Sequence, residues 1–151
     1  MAVERSARDQ FGLLILRVLL GVLFFTHGFD KLVNALHSSN LIPYAGFFAR
    51  YGFQPVGFWG RIVLLVEFVG GLCLIAGLFT RIAASLFIIE MIVAALKVNI
   101  PRGWFWTNPG GGYEVPLAFA VLAAILVFTE PVRPSLDYAI SRRRLAAARR
   151  E

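Results

Sequence analysis

Four apolar runs separated by short polar or aromatic stretches organise this chain. A helix needs about 20 mostly apolar residues to cross a bilayer. The first run covers residues 11–36 and is densest over 13–26. The second covers 58–79, and the polar pair Thr80-Arg81 separates it from a third over 82–100. The fourth, over 115–129, is shorter and gains Gly112, Tyr113 and Glu114 at its start. Pro116 suits the first turn of that helix, where its missing N–H costs nothing. Pro131 and Pro134 end it. The pattern predicts an all-α integral membrane protein, an antiparallel four-helix bundle.

The stretches between runs have their own character. Residues 38–57 hold Ile42, Tyr44, Phe47, Phe48, Tyr51 and Phe53 with Arg50 among them. That segment is aromatic, amphipathic and too short to span. It predicts a short interfacial helix between helices one and two. The loop over 100–112 carries Trp104, Trp106 and Gly110-Gly111-Gly112. Its indoles suit headgroup level, and no Lys-Ser/Thr follows the glycines to make a phosphate cradle. Residues 141–151 form a basic segment. Three regions result: a polar N-terminus over 1–10, a transmembrane domain over 11–140 and a basic tail over 141–151.

Lysine and arginine placement orients the bundle. With four spans, both termini and the Thr80-Arg81 turn share one side. That side collects Arg5, Arg8, Arg81, Arg133, Arg142, Arg143, Arg144, Arg149 and Arg150. The other has Lys31, Arg50, Arg61, Lys97 and Arg102. Both termini are therefore expected in the cytoplasm of a bacterial inner membrane. No small-residue cleavage site follows the first run, so a removable signal peptide is not expected.

Composition supports the membrane reading. The apolar fraction is 58% and the mean hydropathy +0.72, more than a soluble domain this small can hide. The net charge of +6 lies largely beside apolar helices, where inner-leaflet phospholipid is a better partner than nucleic acid. Cys73 is the single cysteine, which excludes an intrachain disulfide or a Cys-x-x-Cys pair. The histidines, His27 and His37, do not suit a bis-histidine haem, because His37 falls in a loop. No ligand spacing suggests a metal.

The chemistry lies in charges within the apolar runs: Arg17, His27, Asp30, Lys31, Glu67, Glu90 and Lys97. One charge at the bilayer centre costs about 2.5–3.5 kcal/mol on insertion scales. Such groups pair, protonate or reach water. At about 100° per residue, Arg17, His27 and Lys31 share an arc of roughly 80° with Gly21, Phe24 and Gly28. Glu67 shares a face with Gly60, Gly71 and Leu74, and Glu90 with Lys97. Glu67 and Glu90 fall at similar depth on antiparallel helices. Two readings stay open. Arg17, His27 and Lys31 can neutralise Glu67, Glu90 and Glu114 as a network that only fixes helix register. Alternatively, the stripe lines a cavity for a polar headgroup or a proton path.

Several strings together resemble the DoxX family. They are His27-Gly28-Phe29-Asp30-Lys31-Leu32, Glu67-Phe68-Val69-Gly70-Gly71-Leu72 and Gly77-Leu78-Phe79-Thr80-Arg81. Gly111-Gly112-Tyr113-Glu114 resembles the family's Gly-Gly-x-Glu stretch, and Ser135-Leu136-Asp137 its ending. Glu130-Pro131-Val132-Arg133-Pro134 departs from the family's usual turn. The resemblance implies a four-helix bacterial inner-membrane protein associated with sulfur, thiol or quinone redox chemistry. From it and the charged stripe we expect a redox-associated subunit binding a small polar-headed ligand, with a quinone as the candidate cofactor. His27, Lys31, Glu67, Glu90 and Glu114 are the candidate ligand-binding residues, with Arg17 and Lys97 in the same polar network; no catalytic residue is named. The sequence offers no electron carrier, so catalysis by the chain alone is not expected. Expected partners are the lipid bilayer and membrane or cytoplasmic redox proteins, and a homo-oligomer is compatible. A non-catalytic scaffold and a small transporter are the alternatives.

Overall fold

The computed structural model describes residues 6–38, 42–130 and 132–148, with side chains to residue 143. Arg5, Pro131, Arg149, Arg150 and the side chain of Arg144 lie outside the described residues. All regular structure there is helical: α1 Ala7–His37, α2 Ala45–Arg50, α3 Val56–Ala76, α4 Thr80–Ala94, α5 Glu114–Phe128 and α6 Leu136–Ala148. The path of α4 continues through a wider π turn, Ala95–Asn99, and a 3-10 turn, Ile100–Arg102. With that extension, three helices are long and apolar enough to cross a membrane. The fourth, α5, is shorter at 15 residues.

Local chemistry explains the boundaries. α1 starts four residues before the apolar run because Ser6 caps it, its Oγ accepting from the Asp9 N–H at 3.2 Å. α3 ends at Gly77, whose φ of 67° is left-handed. There Leu78 N–H donates to the Cys73 carbonyl at 2.9 Å and Gly77 N–H to Leu74 at 3.1 Å. This double closure is a Schellman motif. α4 widens before Pro101, which lacks an N–H and crowds the carbonyl four residues earlier. The basic tail belongs to a helix that begins at Leu136 rather than at 141.

The bundle is a ring. α1 packs mainly on α3 and α4 mainly on α5, while α3–α4 and α1–α5 contacts close the circle. Small residues bring α1 and α3 together: Gly21 and Gly28 face Gly71 and the Glu67-Phe68 backbone. Such close approach is the usual means of joining helices in lipid, where burial of apolar surface gives no advantage. The core is Leu20, Phe24, Leu74, Ala83, Ala84, Phe87, Ala123 and Leu126. Phe24 stacks on Phe87 with ring centres 3.7 Å apart. The outward faces are apolar too, with Phe11, Leu19, Leu65, Ile82, Ile89, Val121 and Phe128 exposed. A bilayer is the solvent that suits such a surface.

Candidate functional site: a lysine and two intramembrane carboxyl groups

Close packing of α1 on α3 sets Lys31 directly against Glu67. Gly28 lies one turn before Lys31, and its Cα leaves no room for a methyl against the Phe68 backbone. The Lys31 Nζ donates to Glu67 Oε1 at 2.9 Å and lies 2.6 Å from Oε2. Glu67 is buried, and the Lys31 side chain keeps 17% exposure. The lysine stem therefore runs along apolar surface while its ammonium reaches inward to the carboxylate.

Glu90 approaches from α4. Its carboxyl lies within interaction range of both Glu67 and Lys31. Its Oε2 is buried without a hydrogen-bond partner among the described residues. Lys31 pairs with Glu67, Glu90 sits against the Glu67 carboxyl, and Glu67 Oε2 and Glu90 Oε2 both lack a hydrogen bond among the described residues. A buried polar atom without a partner is costly, so a proton, water or ligand donor has a ready place there.

Beside Glu67 lies a cavity of about 70 Å³ lined by Leu23, Phe24, His27, Glu67, Met91 and Phe119. His27 and Leu23 are exposed on the flank of α1, so the cavity meets the lipid-facing side of the bundle. His27 Nδ1 is 2.8 Å from the Leu23 carbonyl. A carbonyl only accepts, so Nδ1 carries the hydrogen. In the neutral ring Nε2 is then an acceptor, suited to an O–H or N–H group rather than to a carbonyl.

The other candidates sit elsewhere. Arg17 lies fourteen residues before Lys31, about 21 Å along the helix at 1.5 Å per residue. It shares the face but serves the opposite end, donating from Nη2 to the Pro134 carbonyl at 2.8 Å. Lys97 is exposed on the π turn, its Nζ 6.0 Å from the centre of the Phe53 ring. Glu114 latches the tryptophan loop: Trp106 N–H donates to its Oε1 at 2.6 Å, and its own N–H donates to the Trp104 carbonyl at 3.2 Å. Asp30 accepts from the Tyr44 hydroxyl. Met91 and Phe119 have no signal in the sequence, because apolar residues within apolar helices carry no local mark of a cavity.

The glycine loop is built for shape. Gly110 and Gly111 have φ of 84° and 82°, values open to glycine. Asn99 Nδ2 donates to the Gly111 and Gly112 carbonyls at 3.1 and 3.3 Å. Arg102 donates to the Gly110 carbonyl and to the Tyr51 hydroxyl, tying this loop to α2. The glycine carbonyls thus accept from the chain's own side chains.

The charged residues of α1 and α3 lie inside a stretch that known proteins share. The DoxX family profile matches residues 12–100, more than half of the chain. The chain belongs to the DoxX family. Among DoxX relatives, one of Bacillus subtilis (strain 168) bears the name "Putative oxidoreductase CatD". It is 31% identical over 91 residues, covering 60% of this chain and 62% of its own. Another, "Uncharacterized membrane protein Rv3486" of Mycobacterium tuberculosis (strain ATCC 25618 / H37Rv), is 28% identical over 144 residues. That match covers 89% of this chain and 85% of the relative. No solved structure matches the DoxX chain described here.

Proposed function

We propose that this DoxX protein is a redox-associated membrane subunit that receives the polar end of a small amphiphile at the Lys31–Glu67–Glu90 centre. The observation that carries the reading is the small cavity that joins His27 to Glu67, with the buried Glu90 carboxyl against Glu67. His27 stands at the lipid-side mouth of the adjoining cavity, so a ligand dissolved in the bilayer can enter sideways. The redox association draws support from the family and from the oxidoreductase name of the Bacillus relative.

The space limits what enters. About 70 Å³ is well below the roughly 300 Å³ and more of drug-sized ligand pockets. It takes a hydroxyl or another small polar end, while the rest of the molecule stays among lipid tails. A whole quinone ring does not fit inside. A hydroxyl-bearing head matches the two acceptors that line the cavity, His27 Nε2 and the Glu67 carboxylate. Glu114 and Lys97 are outside this centre. We place both termini on the cytoplasmic side of a bacterial inner membrane, because the arginines of the termini and of the α3–α4 turn then face the cytosol.

Mass spectrometry of the full-length protein purified in native lipid tests the reading. An amphiphile with a hydroxyl or quinol head is expected in wild type and at least tenfold depleted in Glu90→Gln and His27→Ala, which should keep wild-type helical circular dichroism. Wild type without any such molecule, or equal retention by both folded variants, overturns it.

A further inference from the structure

A second cavity lies at the opposite end of the bundle, where the α3–α4 turn meets the start of α6. Its volume is about 300 Å³, more than four times that beside His27. Arg17, Thr80, Arg81, Thr129, Glu130 and Asp137 contribute its polar wall, and Ile82 and Leu126 are among its apolar residues. We infer that this cavity binds a phosphate-type oxoanion, either free in solution or carried on a phospholipid head.

Arg17 carries the argument. It is 3% exposed, and its Nη2 donates to the Pro134 carbonyl. Its Nε and Nη1 are buried without a hydrogen-bond partner among the described residues. A guanidinium stays charged at any ordinary pH, so it cannot escape this cost by losing a proton. A buried charge with open donors calls for an anion.

Asp137 is within electrostatic range of Arg17, but neither carboxylate of the wall accepts from its Nε or Nη1. Asp137 is committed to α4: its Oδ1 accepts from Phe79 N–H and its Oδ2 from Thr80 N–H, both at 2.9 Å. Phe79 has a left-handed φ of 50°, which these bonds hold in place. Glu130 is exposed at the rim. Arg81 is also exposed and donates to the Thr129 carbonyl at 3.3 Å, which holds a second cation at the mouth. The apolar wall and the level of the site suit a lipid-borne phosphate as well as a free one. α1 has 31 residues, about 46 Å at 1.5 Å each, and outruns a hydrocarbon core of about 30 Å. The Arg17 guanidinium lies against Gly77 at the α3–α4 turn, and that end of two helices sets it within reach of headgroups.

The test uses full-length protein in detergent, stripped of lipid, at constant ionic strength. One arm titrates inorganic phosphate against chloride and reads the thermal midpoint. The other adds phosphatidylglycerol and counts retained lipid by native mass spectrometry. Saturable stabilisation by phosphate supports a free anion. Retained lipid without an effect of phosphate supports the lipid-borne group. Arg17→Gln should weaken either by about tenfold or more, the size expected for one charge-assisted hydrogen bond. If Arg17→Gln does not fold, Arg81→Ala at the exposed rim takes its place and should weaken binding severalfold. The inference fails if neither probe binds wild type, or if both bind the folded variants as tightly as wild type.

Discussion

Gly28 sets the distance between α1 and α3, so Gly28→Ala should loosen the pair and its ion pair together. A methyl at this position would lie 2.3 Å from the Phe68 nitrogen, 2.6 Å from its Cα and 2.8 Å from the Glu67 carbonyl carbon. Ordinary non-bonded contacts begin at about 3.5 Å. All three neighbours are backbone, so no rotamer change relieves the clash. The helices must separate by about 1 Å, and overpacking of this kind costs about 1–3 kcal/mol. The same movement draws the Lys31–Glu67 bond from 2.9 Å past about 3.5 Å, where it ceases to be one. Gly12→Ala is the matched control. It lies on the same helix, and nothing stands within 4 Å of its added methyl. Its effect should be neutral or stabilising by up to about 1 kcal/mol, the helix propensity of alanine over glycine. Reversible unfolding in mixed micelles measures both. Equal stability of the two variants would refute the claim that backbone contact at Gly28 sets the interhelical distance.

Other outcomes follow from single contacts. Lys31→Met leaves Glu67 buried without its ammonium and should cost about 3–5 kcal/mol in the same assay, whereas Lys31→Met with Glu67→Met should recover most of the loss. Asp137→Ala removes both acceptors at the start of α4 and should lower stability by about 1–2 kcal/mol, with Asp137→Asn in between; an unchanged thermal midpoint for Asp137→Ala would refute the capping role. The Tyr44 hydroxyl donates to Asp30, and this bond, followed by desolvation and the Asp30 charge, raises its pKa above the usual 10.0. Because the folded value is the higher one, the contribution to stability is complete below pH 10 and is lost as pH rises through that raised value. Ultraviolet titration should show one tyrosine moving to lower pH in Asp30→Asn, and an identical titration curve would contradict the contact.

Much of the fold was legible along the chain. The four apolar helices, the short aromatic helix and the Thr80-Arg81 turn occur where hydropathy and polar breaks put them. These features depend on residues close in sequence. Two boundaries moved through side-chain caps, Ser6 lengthening α1 and Asp137 anchoring the start of α4 from fifty-seven residues away, while α3 stopped at Gly77 through backbone closure. The charged stripe was legible only as a set of faces. Arg17, His27 and Lys31 share an arc of α1, yet Arg17 is separated from the other two along the axis and belongs to a different cavity.

The linear order of residues is enough to make the chain an all-helical membrane protein of the DoxX type with ionisable groups inside its apolar helices. Hydropathy, periodicity and local strings suffice for that, since each is read within one segment. Which charges meet depends on how the helices pack. Lys31 joins Glu67 because glycines on α1 and α3 let two backbones touch. Glu90 comes beside them from α4 with one oxygen unpaired, while Glu114 is taken up by the tryptophan loop and Arg17 by the α6 end. Rotation, depth and separation between helices select these partners, and those quantities arise from contacts between segments far apart in the chain.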